Sequence, residues 1–418
     1  MLSVKRPVGR REWTADGYSR IPYWLYTDPD VYERELERLF YRDHWCYVGM
    51  SAEIPKPGDF KRTFVGERSV IMVRDRDGRI NVVENHCAHR GVQFCQTNFG
   101  NRKTFVCPYH QWSYDLKGKL IGVPFRNGFK QEGRVNGGMP ADFNLGDHGL
   151  TQLTVEEYNG LVFASFDPNV QPLHDYVGSA IQPYYERIFN GRELKVLGYS
   201  RQRIPGNWKL MQENIKDPYH PGLLHTWFVT FGLWRADQRS QMIIDDRGRH
   251  AAMVSRRNEG GKGEATAGVT SFKEDMKLHD DRVLDIVIEP WWLGPTVTML
   301  TIFPTLIIQQ QINSLSTRHI VPRGPNAFDF VWTHFGFADD DEAMTRRRLR
   351  QANLFGPAGY VSADDGEVIE LSQRGYNQHA DSDTVCELDG IETGPADHNV
   401  TETLIRSMYK YYREVMEI

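Results

Sequence analysis

The stretches CAHRG, beginning at Cys87, and CPYHQW, beginning at Cys107, decide the fold of the first third of the chain. Each also carries a histidine, His89 in the first and His110 in the second, and 17 residues separate the two pairs. Thiolates and imidazoles are metal ligands, and two of each, presented from two loops, can hold one metal centre. The pattern therefore predicts a metal site in this part of the protein.

Two kinds of centre fit these ligands. Two cysteines can bind one iron while two histidines bind the other, which is the ligand set of a Rieske 2Fe–2S cluster. The alternative is a tetrahedral zinc site, and such sites usually open with a closely spaced pair of cysteines. Here each stretch contributes one cysteine and one histidine instead. The spacing therefore favours the cluster, with Cys87, His89, Cys107 and His110 as its ligands.

Short β-like runs surround the two stretches. They are rich in β-branched and aromatic residues and are broken by turn residues, a pattern typical of strands. The runs are RSVIMVRD (68–75), RINVVEN (79–85), KTFVCPYHQWSYDLKGKL (103–120) and GLVFASF (160–166). We predict a small all-β domain over residues 45–165, in which His86 and Cys95 serve packing rather than metal binding.

A helical lead precedes this domain. Asp28 followed by Pro29 is typical of a helix start, and apolar residues then recur at helical spacing. The pattern predicts one amphipathic helix over about 29–41. We expect the lead, residues 1–44, to pack on the later domain.

The remainder, residues 166–418, mixes strand-like and helical patterns, which predicts an α+β domain. The Gly-rich polar segment from Asn258 to Thr270 is predicted to be a mobile surface loop or lid. Strand-like runs are TVTMLTIFPTLIIQQQI (296–312) and FDFVWTHFGF (328–337), and helical periodicity occurs near 208–227, 341–353, 364–374 and 401–416.

A second group of metal-binding residue types lies in the run NWKLMQENIKDPYHPGLLHTWF, which begins at Asn207. Its candidates are Asp217, His220 and His225. On an ideal helix a separation of five residues turns a side chain by about 140°, so the two imidazoles would not share a face. Pro221 disfavours helical geometry at His220, and the resulting kink lets the two imidazoles converge.

A facial site for non-haem Fe(II) combines two histidines with one carboxylate and leaves positions open for oxygen. The candidate carboxylate lies far downstream, in NLFGPAGYVSADDGEVIELSQRGY, which begins at Asn353. Asp365 in this run also fits the first turn of a helix capped by Ser362, where the helix dipole favours a negative charge. The residues alone leave both roles open.

Three motifs together resemble the large (alpha) subunit of Rieske non-haem iron ring-hydroxylating oxygenases over nearly the whole chain. They are the two Cys/His stretches, the run from Asn207 and the GPAG segment from Gly356. The resemblance implies a Rieske β-domain joined to a catalytic domain with a central antiparallel sheet and surrounding helices. It also implies that His220, His225 and Asp365 bind a mononuclear Fe(II).

The same resemblance implies partners and an electron supply. Asp217 matches the family's bridging aspartate, which links the cluster of one subunit to the iron of its neighbour, whereas Asp364 is not expected to be a ligand. A small beta subunit and an alpha3beta3 hetero-oligomer are implied. The chain has no convincing dinucleotide fingerprint. Electrons from NADH are therefore expected to arrive through a separate ferredoxin reductase and a ferredoxin.

The substrate class follows from a longer similarity. The run PGNWKLMQENIKDPYHPGLLHTWFVTFGLWRAD, from Pro205, is similar to family members that act on salicylate, with anthranilate and terephthalate oxygenases as relatives. This implies an enzyme that uses O2 to hydroxylate an aromatic acid, with salicylate to gentisate as the leading reaction. Anthranilate 1,2-dioxygenation, or oxidation of another substituted benzoate, is the alternative. A different class of function is Rieske electron transfer without oxygenase activity.

Two residues are candidates for binding the substrate carboxylate. Alternation along a strand puts Gln309 and Gln311 on one face, so Gln311 is predicted to reach the substrate. Ser362 lies one helical turn before Asp365, so its hydroxyl is predicted to reach the same cavity. The alternative for both is structural: an amide paired with the backbone and a plain helix cap.

Composition excludes several classes. The chain has 418 residues, 40% of them hydrophobic, and a formal net charge of -5, so no global basic field favours nucleic acid. No run of about 18 apolar residues predicts a membrane span, and five widely spread cysteines do not resemble a secreted disulfide framework. We expect a cytoplasmic protein. Basic residues near the ligand stretches form either a solvated face or a ferredoxin-docking site: Arg90, Arg102, Lys103, Lys117 and Lys119.

Overall fold

The computed structural model describes residues 12–13, 17–256 and 277–418. The segment predicted as a surface loop, Asn258 to Thr270, lies outside them. Within the described ranges, no helix is both long enough and apolar enough to span a membrane.

The lead contains the predicted helix. Helix α1 (Trp24–Thr27) is followed by helix α2 (Pro29–Glu35), which continues as a π-helical turn over Leu36–Phe40. Asp28 caps α2, because its carboxylate accepts the backbone N–H of Asp30 at 2.8 Å. The buried side chains of these helices pack into the largest hydrophobic core together with residues of the later domain.

The part of the chain that carries the Cys/His stretches is built from short strands. They are β1 (Cys46–Met50), β2 (Asp59–Val65), β3 (Arg68–Arg74), β4 (Ile80–Glu84), β5 (Phe99–Asn101), β6 (Phe105–Val106), β7 (Ser113–Tyr114), β8 (Leu120–Gly122), β9 (Phe129–Gln131), β10 (Arg134–Asn136), β11 (Thr154–Tyr158) and β12 (Leu161–Ser165). Their sheets have the orders β4-β3-β2-β5, β6-β7-β8, β1-β12-β11 and β9-β10. The predicted strand-rich composition of this region is therefore present.

The later part is built on a seven-stranded antiparallel sheet. Its strands are β13 (Leu194–Ile204), β14 (Ser240–Ile244), β15 (Ala251–Ser255), β16 (Val297–Ile302), β17 (Leu306–Gln311), β18 (Ser314–Pro322) and β19 (Phe328–Phe337), and their order across the sheet is β13-β19-β18-β17-β16-β15-β14. The helices of this part are α3 (Leu173–Val177), α4 (Gln182–Ile188), α5 (Trp208–Ile215), α6 (Pro221–Leu224), α7 (Thr226–Thr230), α8 (Glu342–Phe355), α9 (Ser362–Gln378) and α10 (Thr403–Met416). The predicted α+β class is confirmed.

Two predicted elements are divided in the structure. The strand-like run 296–312 forms two strands, β16 and β17, which pair with each other across a turn that contains Pro304. A proline cannot donate to a sheet ladder, so it marks a reversal rather than the middle of a strand. The helical segment predicted near 208–227 forms three short helices, α5, α6 and α7. Pro218 and Pro221 account for the break between α5 and α6, and the non-helical backbone of His225 separates α6 from α7.

The large sheet has two different faces, because side chains alternate along each strand. On one face Leu300, Ile308 and Leu315 pack with Tyr47 and Phe163 of the β-rich part in a second hydrophobic core. The strand that supplies Tyr47, β1, is therefore anchored on the back of the sheet. The other face packs partly into the largest core and partly borders the candidate site.

Candidate metal centres

The two Cys/His stretches form matching tight loops. The N–H of Gly91 donates to the carbonyl of Cys87 at 2.8 Å, and the N–H of Gln111 donates to the carbonyl of Cys107 at 2.9 Å. Both loops turn at a positive φ, +71° at Gly91 and +56° at Gln111. Both cysteines are buried, and the Sγ of Cys87 lies 3.2 Å from the hydroxyl of Tyr114. The two loops therefore share a backbone turn, within which the histidine follows its cysteine by two residues in the first loop and by three in the second.

The side chains of the loops suit an iron–sulfur cluster. The ring centroids of His89 and His110 lie 4.5 Å apart, and His89 stacks on Trp112 at 4.7 Å. The buried Nδ1 of His89 has no hydrogen-bond partner among the described residues. Burial and the neighbouring His110 lower the pKa of His89, which keeps its imidazole neutral, as a metal ligand must be. Burial raises the pKa of the Cys107 thiol, and contact with Cys87 adds to this effect. Paired sulfurs and paired neutral imidazoles fit the Rieske ligand set.

Three further residues near the two loops, Cys95, His86 and Lys117, differ from the proposed ligands in their contacts and exposure. Cys95 is buried, and its thiol points to the carbonyl of Thr97 at 3.6 Å. His86 is exposed. Among the basic residues, the Nζ of Lys117 forms an ion pair with Asp77 at 2.8 Å. Its charge is therefore partly neutralised by the protein itself.

The second candidate centre joins the break between α5 and α7 to the start of α9. His220 lies in that break, directly before α6, and His225 follows α6 directly. The predicted proline-induced interruption is thus present. Gly222 within α6 also matters, because a Cβ at this position would lie 2.2 Å from the ring of Trp234. Only glycine lets the indole pack against this short helix.

Three side chains converge here. The Nε2 atom of His225 lies 3.2 Å from Oδ1 of Asp365, and the Nε2 atom of His220 lies 3.5 Å from the same oxygen. One ligand atom from each residue falls within 4.8 Å of the others. Asn214 donates to the same Oδ1 at 3.1 Å. Two imidazoles and one carboxylate that meet at a point can hold a non-haem iron.

A further carboxylate lies beside the outer nitrogen of each imidazole. Oδ2 of Asp217 lies 3.4 Å from Nδ1 of His220, and Oδ2 of Asp364 lies 3.1 Å from Nδ1 of His225. Histidines that bind metals usually donate their second N–H to such a partner, which fixes the ring orientation. Asp217 also accepts the backbone N–H of Tyr219 at 2.8 Å, so it caps the local turn as well. No role for Asp364 was predicted from the sequence. The only sequence feature that marks this residue is its position directly before Asp365.

The electrostatics of this group favour a cation. Burial by itself lowers the pKa of His220, but the carboxylates of Asp217 and Asp365 outweigh it and raise that pKa to about 10. Burial raises the pKa of Asp365, but the two imidazoles hold it well below its usual range. Negative charge therefore surrounds the point where the three side chains meet. A divalent cation bound at this point would balance the negative charge of the carboxylates while both imidazoles stay neutral.

A cavity of about 740 Å³, counting its open mouth, lies between this group and the face of the large sheet that carries Gln309. Met253, Met299 and Gln309 line it from the sheet, and Phe228 and Trp234 line it from the helical side. Its size and mostly apolar lining suit a small organic ligand.

The two predicted substrate-binding residues differ in position. Gln311 lines the cavity beside Gln309, whose amide donates to it. Gln310 faces the other way and donates to backbone carbonyls, as strand alternation predicts. Ser362 does not line the cavity, because its hydroxyl donates to Oε1 of Gln202 at 2.6 Å. The structure thus gives the Ser362 hydroxyl a structural partner in place of the predicted position at the cavity.

Comparison with known families agrees with this geometry. Residues 182–418 match the model of the ring hydroxylating alpha subunit (catalytic domain), and residues 44–133 match the model of the Rieske [2Fe-2S] domain. This chain belongs to the ring-hydroxylating alpha subunit family. The alpha subunit is therefore a ring-hydroxylating oxygenase component with a Rieske 2Fe–2S cluster and a mononuclear non-haem iron. A function in electron transfer alone has no support from these matches.

Individual relatives are similar over almost the whole alpha subunit. It is 67% identical to the large oxygenase component of salicylate 5-hydroxylase from a Ralstonia species, over 97% of this chain and 96% of the relative. It is 42% identical to the anthranilate 1,2-dioxygenase large subunit of Burkholderia cepacia, over 96% of this chain and 94% of the relative. The structure of naphthalene 1,2-dioxygenase from Rhodococcus sp. has the same fold, with a TM-score of 0.76 and 24% identity over 95% of this chain and 94% of that one.

Proposed function

We propose that this alpha subunit hydroxylates salicylate to gentisate. In this reaction one atom of O2 enters a ring C–H bond and the other leaves as water, with two electrons and two protons completing the balance. The observation that carries the proposal is the 67% identity, over 97% of the chain, to the large oxygenase component of a salicylate 5-hydroxylase. The apolar cavity beside a facial donor set supports it.

The two constellations supply the proposed metal ligands. Cys87, His89, Cys107 and His110, in the Rieske domain proposed over residues 45–165, are the ligands of the cluster. His220, His225 and Asp365 are those of the mononuclear iron. When bound, the cluster passes single electrons and the iron activates O2.

The protein's own side chains orient these ligands and the substrate. Asp217 and Asp364 hold the two imidazoles from behind, so their Nε2 atoms stay aimed at one point. The cavity lining holds the aromatic ring and excludes water. Gln311 is a proposed donor to the substrate, because the contact from Gln309 occupies its oxygen and leaves its amide nitrogen to face the ligand.

We also propose that Asp217 is the electron bridge between subunits. One of its oxygens faces His220, and the side chain is partly exposed, so it is accessible to the cluster of a neighbouring copy. Two aromatic side chains of the β-rich part are exposed in a single chain: Tyr109, within one Cys/His loop, is 59% exposed, and Phe125 is 75% exposed. Such residues favour burial in an assembly. An alpha3beta3 arrangement with a small beta subunit, supplied by a ferredoxin and an NADH-dependent reductase, fits this surface.

Product analysis tests the proposal. The purified oxygenase, with ferredoxin, reductase, NADH and O2, should convert salicylate to gentisate with one O2 consumed per product. Anthranilate is offered in parallel, because a relative acts on it. Faster conversion of anthranilate would replace the substrate assignment with the dioxygenase alternative. Reduction and reoxidation of the cluster without any substrate-dependent O2 uptake would instead overturn the oxygenase function.

A further inference from the structure

A polar cleft lies between strand β2 of the β-rich part and the large sheet, on the sheet face opposite the metal-site cavity. Gln309 lines that cavity, and its cross-strand partner is Ser316. Because side chains alternate along a strand, His319, three positions further along β18, faces the opposite side. The second hydrophobic core covers this side at Leu315. Around His319 the two parts of the chain enclose a cleft of about 810 Å³, counting its open mouth.

Strand register determines which side chains form the sheet wall of the cleft. Arg201 of β13 pairs with Val331 of β19, which pairs in turn with His319 of β18. Residues that are paired across strands share a face of the sheet. The neighbouring row of the same face is built in the same way and contains Arg203, Asp329 and Val321.

The cleft is positively charged, although the whole chain carries a formal net charge of -5. Charges of one sign along a cleft with low-dielectric walls focus the electric field and raise the local concentration of counter-ions. The lining therefore favours anions over neutral ligands. It includes one acid, Asp329, and five cationic side chains: Lys61, Arg62, Arg201, Arg203 and Arg323.

Ion pairs within the protein balance only part of this charge. Glu53 pairs with Lys61 at 2.8 Å. The single carboxylate of Asp329 is shared by Arg203 and Arg323, each of which approaches it through Nε at 2.8 Å. The other two arginines of the lining have no acidic partner among the described residues. Three positive charges are therefore left without a carboxylate.

His319 is a buried polar side chain on the wall of this cleft. It is 5% exposed and makes a T-shaped contact with Tyr47, with the ring centroids 5.7 Å apart. Its ring nitrogens form no hydrogen bond within the described part of the chain. Burial, aided by the charges of Lys61 and Arg323, lowers the pKa of His319 to about 3, so the imidazole is neutral. A neutral imidazole carries one N–H that can donate to an anion.

The most deeply buried histidines of the described chain are treated differently by the fold. His44 and His250 are both 0% exposed. His44 has a hydrogen bond at each ring nitrogen, both at 2.8 Å. His250 also has one at each ring nitrogen, at 2.9 and 3.0 Å. Buried polar groups are normally paired in this way, because an unpaired one is costly. His319 departs from that pattern at the place where the positive charge is in excess.

We propose that this cleft binds a small oxyanion with at least two negative charges, either a phosphate group or a dicarboxylate. His319 donates to the anion from the sheet wall, and Arg201, which is exposed, adds its charge at the rim. Because β2 and the large sheet both line the cleft, the bound anion joins the two parts of the chain. The site lies on the other face of the sheet from the metal-site cavity, so it is separate from the proposed substrate site.

Titration calorimetry on the purified holoprotein tests the proposal. Inorganic phosphate and malonate are the two probes, at an ionic strength held constant with sodium chloride. At least one of them should bind saturably with one site per chain, and the tighter probe shows whether phosphate or dicarboxylate chemistry is preferred.

Two variants locate the binding site. Arg201→Gln should weaken binding of the preferred anion about tenfold, as expected when a donor to a charged group is lost. His319→Phe keeps an aromatic ring against Tyr47 but has no N–H, and it should also weaken binding about tenfold. Arg76→Gln changes an exposed arginine in the turn between β3 and β4, outside the cleft, and serves as the matched control with unchanged affinity.

Thermal unfolding gives a second readout. An anion that binds the folded protein raises the midpoint of unfolding, and this rise should be equal in the wild type and Arg76→Gln but smaller in Arg201→Gln and His319→Phe. Absence of saturable binding by both anions would overturn the proposal. Wild-type affinity in Arg201→Gln would also overturn it, because the anion would then bind elsewhere, for example at a metal centre. Since Arg201 is exposed, this variant keeps the test decisive even if His319→Phe does not fold.

Discussion

The cluster loops lie within a short segment from Cys87 to His110, whereas the mononuclear site brings together residues such as Asn214 and Asp365, which are 151 positions apart. Each cluster loop is closed by its own backbone hydrogen bond. The mononuclear site depends on the packing of α9 beside the broken helix that carries His220 and His225.

Their surroundings differ as well. Tyr109, next to a cluster histidine, is 59% exposed, while His225 is 1% exposed and Asp365 is 4% exposed. A site that exchanges electrons with a partner needs a ligand close to the surface, and a site that reacts with O2 needs water excluded. We therefore expect the two sites to be structurally independent and separable by mutation.

The largest expected effect comes from removing the carboxylate of the mononuclear site. Asp365→Ala should abolish hydroxylation and lower the iron content from about three to about two atoms per chain, because two imidazoles alone hold Fe(II) weakly. Iron and acid-labile sulfide analysis measures this, and the visible spectrum of the cluster should be unchanged. Loss of that spectrum would contradict the independence of the two sites.

The reciprocal change is Cys107→Ser. It should remove the visible spectrum and the acid-labile sulfide, because Cys107, a buried residue, is a proposed thiolate ligand of the cluster. About one iron per chain should remain, bound at the mononuclear site. A variant that lost all iron would show that the mononuclear site needs the cluster for its assembly.

Asp217→Asn addresses the connection between the two sites. Both metals should be retained, since the amide oxygen still accepts the backbone N–H of Tyr219, but electron transfer from cluster to iron should slow at least about 100-fold. Single turnover of the pre-reduced enzyme with O2 and salicylate measures the rate of cluster reoxidation. Reoxidation at the wild-type rate would mean that Asp217 only caps the turn.

Asp364→Asn tests the carboxylate behind His225. Weaker orientation of that imidazole should reduce iron affinity about tenfold, with the cluster unaffected. Competition with a chelator measures the affinity. Glu367→Gln, an exposed change on the same helix, is the matched control. Equal iron retention in both variants would remove Asp364 from the site.

The smallest expected effects concern Gln311 and Ser362, which should differ in their influence on substrate binding. Gln311→Ala should raise the salicylate dissociation constant about tenfold, as expected for one donor to a charged group. Ser362→Ala should leave substrate binding unchanged and lower the free energy of unfolding by about 1 kcal/mol, because Oε1 of Gln202 loses the hydroxyl that donates to it. Titration and denaturant unfolding measure the two quantities. Weaker substrate binding by Ser362→Ala would restore the sequence-based prediction.

Much of the fold could be predicted because its patterns are local. The β-rich first third, the α+β remainder and the break at Pro221 follow from strand composition, mixed periodicity and proline chemistry. The single strand predicted over 296–312 rests on apolar composition alone, whereas Pro304 within the run is the sequence signal of the reversal between β16 and β17. Strand β18 was not predicted from the sequence. All nine of its residues are buried, so polar and apolar residue types do not alternate along it.

By itself the sequence determined the two loops proposed to hold the cluster. Cys87 with His89 and Cys107 with His110 lie in turns that are each closed by a backbone hydrogen bond between residues four positions apart. Only the tertiary structure decided that Asp364 lies behind His225 and that Gln311 lines the cavity whereas the Ser362 hydroxyl donates to Gln202. These relations arise from strand register and helix packing across long separations. A residue type in a sequence shows which bonds a side chain can form, and the fold decides which group it meets.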